Sequence, residues 1–246
     1  MTTRMIDRLS NHENIALQFS GGKDSLAVAY LLRPYWDRIT LYHVDAGDLL
    51  PEIREVVETI EKIVPRFVRI ETDSNAWMDK HGYPSDLVPT SCTPSGVMIG
   101  MSEKRLVDRH DCCACNVMMP MHDRAIADGC TLVIRGTKRA DFKRMPAENG
   151  PTGLGYDLWL PILEWSHEDV FSYLKSLDLP LCRVYEHRVN APECATCPAW
   201  WSEGRAEYLG KYHPALAAEY HRKLAVVSAE VLPFLDHLKA EMVDGR

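Results

Sequence analysis

Three groups of residues in this chain have the types and spacing to do chemistry. The first is Ser20-Gly21-Gly22-Lys23-Asp24-Ser25, set between the apolar run "NIALQF" and the apolar helical pattern "LAVAYLL". Two glycines let the backbone approach a ligand closely. The N–H groups at the start of the following helix then point at an anion, and the helix dipole favours negative charge there. Lys23 adds a mobile positive charge, and the hydroxyls of Ser20 and Ser25 add donors. This is phosphate-binding chemistry, although the usual P-loop spacing G-x-x-x-x-G-K-[ST] is absent.

The second and third groups are cysteines: Cys112, Cys113 and Cys115 in "HDCCACN", and Cys194 and Cys197 in "PECATCPAW". Thiolates crowd in this way to hold a soft metal or an iron–sulfur cluster. Cys112, Cys115, Cys194 and Cys197 spell C-x-x-C twice, which suits a structural zinc site. The adjacent pair Cys112–Cys113 joined to the distant C-x-x-C suits a [4Fe–4S] cluster. Spacing alone leaves both open. Cys92, Cys130 and Cys182 stand apart and read as small buried residues.

These groups need a scaffold, and the hydrophobic pattern supplies one. Apolar runs at Asn14 to Ser20, Ile39 to Ala46, "RFVRIETD" and Thr131 to Thr137 read as strands. "LAVAYLLRPYW" and "LPEIREVVETIEKIV" between them read as helices. Strands alternating with helices predict an α/β fold with a parallel sheet. The stretch Trp77 to Glu103, broken by prolines and glycines, reads as long loops with short helices. A helix is expected over about Cys113 to Asp128, disturbed by Pro120. In "WSHEDVFSYLKSL", Ser166 and Asp169 form a capping-box pattern. The organisation expected is a nucleotide-binding domain over 1–180, which includes the first cysteine group, and a C-terminal helical segment over 181–246 bearing the C-x-x-C.

Bulk properties narrow the classes. The net charge of −7 argues against a strongly basic nucleic-acid-binding protein, although Arg135 to Arg144 is locally basic. "PAWWSEGRAEYLGKYH" interleaves aromatic and basic residues, so a nucleic-acid acceptor stays open beside the plainer reading of a packed helix. No apolar run reaches membrane-span length and the first residues carry no apolar block, so the expectation is a cytoplasmic protein with no membrane association. The ten histidines show no H-E-x-x-H pattern, and no hydrolytic metal site is expected.

"SGGKDS" resembles the pyrophosphate-binding loop (PP-loop) of the adenine nucleotide alpha-hydrolases, the ATP pyrophosphatases. "VDAGDLLPE", "IRGTKRADF" and "LWLPILEWSHEDVFSYLKSLDLPLCRVY" resemble, in order, segments of the phosphoadenylylsulfate (PAPS) reductase branch of that superfamily. The resemblance spans Asn14 to Trp200. It implies a Rossmann-like parallel sheet with helices on both faces and a ligand beyond the carboxyl ends of the strands. It further implies that Ser20, Gly21, Gly22, Lys23, Asp24 and Ser25 hold the anion of an adenine nucleotide. Asp45 would meet the nucleoside, and Arg135, Gly136 and Lys138 would complete the nucleotide site. Lys23 and Arg139 would be catalytic. The tandem cysteines followed by C-x-x-C are similar to the cluster signature of the iron–sulfur adenylylsulfate reductases. This implies a [4Fe–4S] cluster on Cys112, Cys113, Cys194 and Cys197 in preference to Zn²⁺. Cys115 is left as a bystander, an alternative ligand or a reactive thiol.

One family feature is absent from the sequence. The reductases use a nucleophilic cysteine in a Glu-Cys-Gly-x-His tail, and here no cysteine follows Cys197. Cys92, Cys115 or Cys182 would have to take its place, or the chemistry differs. The first expectation is therefore ATP-dependent adenylation of an acceptor with Mg²⁺, followed by cluster-assisted thiolation from a sulfur donor. The second is reduction of adenylyl sulfate or its phosphorylated form, with electrons from a reductant protein. The third is a nucleotide-binding iron–sulfur subunit of a modification complex. Association into a homo-oligomer is compatible with all three.

Overall fold

A computed structural model describes residues 8–179 and 181–244. The first residues of the polar N-terminus, Pro180 of the late family-like segment and the last two residues of the expected C-terminal segment lie outside the described residues. In chain order the elements are β1 (Ile15–Gln18), α1 (Lys23–Leu31), β2 (Ile39–Asp45), α2 (Pro51–Ile63), β3 (Phe67–Glu71), α3 (Ser74–His81), β4 (Tyr83–Ser85) and α4 (Pro94–Met98). There follow β5 (Leu106–Asp108), α5 (Arg109–Cys113), a π turn (Ala114–Met118), α6 (Met119–Ala127), β6 (Leu132–Ile134), β7 (Gly150–Pro151) and β8 (Asp157–Trp159). The chain closes with α7 (His167–Ser176), α8 (Val184–His187), α9 (Arg205–Tyr212) and α10 (Pro214–Asp244). No helix among the described residues is long and apolar enough to cross a membrane.

The chain forms two compact units, each built from separated segments. Unit 1 takes 1–45, 50–71 and 119–191, and unit 2 takes 46–49, 72–118 and 192–246. These units differ from the division expected at 180/181. The first cysteine group falls in the same unit as the C-x-x-C, not with the glycine turn. The reason is chain threading: the segments around both cysteine groups pack into one core, and sequence distance says nothing of that.

Unit 1 holds a six-stranded sheet in the order β3-β2-β1-β6-β8-β7. All pairs are parallel except β7 with β8. Strand β1 is central, with Ile15 beside Ile39 on one side and Leu132 on the other. Its Ile15, Ala16 and Leu17 are all buried, as a parallel strand covered on both faces requires. Helix α2 starts at Pro51, whose missing N–H costs nothing there, and buries Ile53, Val57 and Ile60 on one face. The capping box of α7 forms as expected: Ser166 Oγ accepts from Asp169 N at 3.0 Å, and Ser166 N donates to Asp169 Oδ2 at 2.8 Å.

Unit 2 pairs β4 and β5 in parallel and packs α10 over them. Cys92, Leu106, Val227 and Val231 form its apolar core, with Tyr83, Val88 and Leu235 against it. The stretch expected as long loops with short helices holds the end of α3 and the short α4, and in addition β4, which was not expected. Its strand is three residues long and includes Pro84, too short for alternation to register. The expected helix near Cys113 is present but begins earlier, at Arg109. It is relaxed by the π turn, and Pro120 sits at the second position of α6, where the turn has already interrupted the regular ladder.

Candidate functional site

In unit 1 the glycine turn follows β1 directly and leads into α1. Gly21 has φ +81°, and an added Cβ would lie 2.7 Å from Val57 Cγ2, so only glycine fits. Ser20 and Ser25 bond one another, their Oγ atoms 3.2 Å apart, which draws the turn closed. The strand end at Arg135–Lys138 meets it: a Cβ on Gly136 would stand 2.8 Å from the Asp24 carbonyl carbon and 2.9 Å from Ser25 N. Backbone of β6's carboxyl end and backbone of α1's first turn are therefore in contact.

The lysines do not project outward. Lys23, expected to be a mobile charge, is 2% exposed. Its Nζ lies 2.9 Å from Asp24 Oδ2 and 2.8 Å from Asn190 Oδ1. The rings of Phe171 and Tyr185 stand 5.7 and 5.9 Å from it. Burial lowers the pKa of this ammonium, and Asp24 restores part of it. Lys138 is fully buried, 2.8 Å from Asp24 Oδ1 and 3.0 Å from both oxygens of Asp141. Asp24 thus bridges two ammonium groups. Protein interiors hold charges only when they are paired in this way.

The arginines divide. Arg139 is exposed and forms a pair with Glu164, Nη2 to Oε1 at 2.9 Å. Arg135 is partly buried, its pKa drawn down by burial and partly restored by a bond to Tyr156, and its buried Nε has no hydrogen-bond partner. Asp45 closes β2 and takes Arg54 Nη1 at 3.1 Å and Arg69 Nη1 at 3.2 Å on one oxygen. The "VDAGD" motif is split. Asp45 belongs to unit 1, and Asp48 belongs to unit 2, where it has a different task.

That task is to hold the C-x-x-C loop. Thr196 N and Oγ1 donate to Asp48 Oδ2 at 2.9 and 2.8 Å, and Ala195 N donates to the Asp48 carbonyl at 2.7 Å. Buried Lys223 donates to Thr196 Oγ1 at 2.6 Å and to Asn75 Oδ1 at 2.7 Å. Arg205 Nη1 donates to the Cys194 carbonyl at 2.6 Å. On the other side, Asn116 from the π turn donates to the Cys112 carbonyl at 3.0 Å and lies 3.6 Å from its sulfur.

Both cysteine groups, Cys112, Cys113 and Cys115 and the pair Cys194 and Cys197, lie in unit 2. Burial pushes the thiols of Cys112 and Cys113 up to about 12, and the nearby Cys197 thiol pushes both further in the same direction. Burial also drives Cys194 well up, with Cys197 and Cys113 among the added causes. Cys112 and Cys197 are buried, Cys113 and Cys194 partly so, and Cys115 is exposed. Among the described residues no three Cys, His, Asp or Glu side chains are drawn together tightly enough for a single metal ion.

The sequence family described as phosphoadenosine phosphosulfate reductase domain matches residues 14–200. The chain belongs to that family. An adenosine 5'-phosphosulfate reductase of Neisseria meningitidis serogroup A is 22% identical over 225 residues, covering 81% of this chain and 83% of that protein. The crystal structure of a PAPS reductase from Candida auris, a phosphate complex, superposes with a TM-score of 0.50 at 13% identity, over 71% of this chain and 77% of that one. The likeness to that structure is one of fold.

This PAPS reductase family member carries functional candidates that sequence reasoning missed. Tyr185 Oη accepts from Lys23 N at 2.8 Å. His167 Nε2 lies 3.8 Å from Asp141 Oδ1, behind Lys138. Beside Cys113, Trp200 sits at φ +62°, a conformation that is strained for a bulky residue. Its N–H donates to Asp86 Oδ1 at 2.8 Å, and Arg109 stacks on its ring at 3.7 Å. Local periodicity carries no mark of any of these. The one usable signal was Tyr185, inside the family-like "LCRVY".

Proposed function

We propose that this protein reduces the sulfuryl group of an adenylyl sulfate, held by its anion at the glycine turn of unit 1, with an iron–sulfur cluster on Cys112, Cys113, Cys194 and Cys197 in unit 2. The observation that carries the reading is that the two cysteine groups, about 80 residues apart, fall in one compact unit, in a chain of the phosphoadenosine phosphosulfate reductase family. Four cysteine thiols form a soft donor set that suits an iron–sulfur cluster, and the tandem pair followed by C-x-x-C favours that over one zinc. When bound, such a cluster would supply a polarisable, redox-capable centre close to its thiolate ligands.

The chemistry of this chain's own residues follows. The loop amides and the Ser20 and Ser25 hydroxyls hold the oxyanion, and Lys23 and Lys138 fix the loop through Asp24. Cys115, the exposed thiol among the described residues, is the nucleophile of this reading. Its sulfur bonds to the sulfuryl sulfur as the bond to the phosphate oxygen breaks, and AMP leaves. A dithiol reductant protein then attacks Cys115, sulfite leaves, and the dithiol is oxidised to a disulfide.

A second reading, ATP-dependent sulfur transfer to an acceptor with Mg²⁺, rests on a sequence observation: within the 246 residues no cysteine follows Cys197. One experiment separates the two. Anaerobically prepared protein is given adenosine 5'-phosphosulfate with a dithiol, and separately ATP with Mg²⁺. Sulfite with AMP supports the reductase, and pyrophosphate with AMP supports the transferase. Binding of either nucleotide without turnover would leave a binding subunit and overturn both.

A further inference from the structure

Resting on the glycine turn as an oxyanion cradle, we infer that Tyr185 is a further binding residue of that cradle. It donates its phenolic proton to the phosphate or sulfate oxygen the loop receives. Lys23 N–H is one of the first-turn amides of α1 that have no partner within the helix. Tyr185 Oη accepts from that amide at 2.8 Å. A phenol has one proton to give, and among the described residues no acceptor takes it. The oxygen also lies over the diglycine backbone, 3.5 Å from where a Cβ on Gly22 would stand. The spare proton therefore sits among the orphan donors that face an anion.

The ring is held firmly enough to act as a fixed donor. Phe171 meets it edge-on at 5.8 Å, and the Lys23 ammonium lies 5.9 Å from its centre. Asn190, five residues further along the chain, takes the same ammonium at 2.8 Å. One short segment thus grips Lys23 at both its main-chain and its side-chain nitrogen. Swinging Tyr185 aside would break both its bond to the Lys23 amide and its edge contact with Phe171, so a fixed donor fits the geometry better than a gate. Arg135, with its buried unpaired Nε, follows directly on β6, the strand that pairs with β1.

Calorimetric titration with adenosine 5'-phosphosulfate, and with adenosine as the anion-free control, tests this on wild type and Tyr185→Phe. A hydrogen bond to a charged acceptor is worth about a 10- to 100-fold change in affinity. Tyr185→Phe should lose that much for the sulfated nucleotide and little for adenosine. Unchanged or tighter binding of the sulfated nucleotide overturns the inference. Should the variant not fold, 3-fluorotyrosine placed at 185 gives the answer by fluorine NMR. A resonance that shifts and saturates with nucleotide supports the donor, and one that stays still refutes it. Wild type that binds neither adenosine 5'-phosphosulfate nor ATP overturns the cradle itself, and this inference with it.

Discussion

Lys138 Nζ lies 2.8 Å from Asp24 Oδ1 at a site where the lysine has no exposure to solvent. The same carboxylate takes Lys23 on its other oxygen, so α1 and the strand end after β6 are tied by one aspartate. Asp24→Asn leaves two buried ammonium groups short of their shared counter-charge. Breaking a buried pair in this way costs about 3–5 kcal/mol. Chemical denaturation followed by circular dichroism should show a loss of that size, and a loss under about 1 kcal/mol would mean the network relaxes into water.

Gly136→Ala tests the contact between strand end and loop. Its Cβ would meet backbone of Asp24 and Ser25, not a flexible side chain, so one of the two segments must move. Overpacking of this kind costs about 1–3 kcal/mol. Nucleotide affinity should fall with stability if the displaced backbone belongs to the proposed anion site. Retained affinity in a fully folded variant would show that the strand end is not part of it.

The thiols separate by role. Cys194→Ala should abolish bound iron and sulfide and the visible absorption of anaerobically purified protein. Cys115→Ser should keep all three and lose sulfite release. A colourless wild type with one zinc per chain would refute the cluster. Loss of iron in Cys115→Ser would make Cys115 a ligand instead.

Asp86 gives unit 2 an acid-sensitive joint. Burial alone would raise its carboxyl, but the amides of Trp200 and Trp201 and the Arg109 guanidinium together hold it below its ordinary 3.8. A carboxyl depressed in the folded state adds stability above its unfolded value, and that stability drains away as pH falls through the folded one. Wild type should therefore lose stability as pH drops below about 3.8. Asp86→Asn should be weaker at pH 7 by about 1–3 kcal/mol and show a shallower acid slope. Equal slopes in denaturation curves from pH 5 to pH 2 would remove Asp86 from the account.

The sheet was largely legible. Buried β1 and the apolar runs of β2 and β6 announce themselves because a parallel strand buried on both faces leaves a continuous apolar word in the sequence, whereas β3, at the sheet edge with no buried residue, shows only alternation. Strands β4 and β7, of three and two residues, leave no such word. The capping box of Ser166 and Asp169 was readable because it is a local bond pattern, complete within four residues. The expectation of a mobile Lys23 fails because, beyond its neighbour Asp24, it is enclosed by Asn190, Phe171 and Tyr185, all far along the chain.

Residue type and spacing along the chain set the local chemistry: a diglycine bend at a helix start, five cysteines in two windows, and a strand end rich in cations. These are statements about neighbours along the chain, and residue type and spacing are enough to make them. Only the tertiary structure decided which distant groups share a space. It set Asp24 between Lys23 and Lys138, gave Asp48 to the C-x-x-C loop and left Cys115 in solvent. Those outcomes depend on long-range packing and on the need to pair each buried charge, and neither has a signature within any short stretch of sequence.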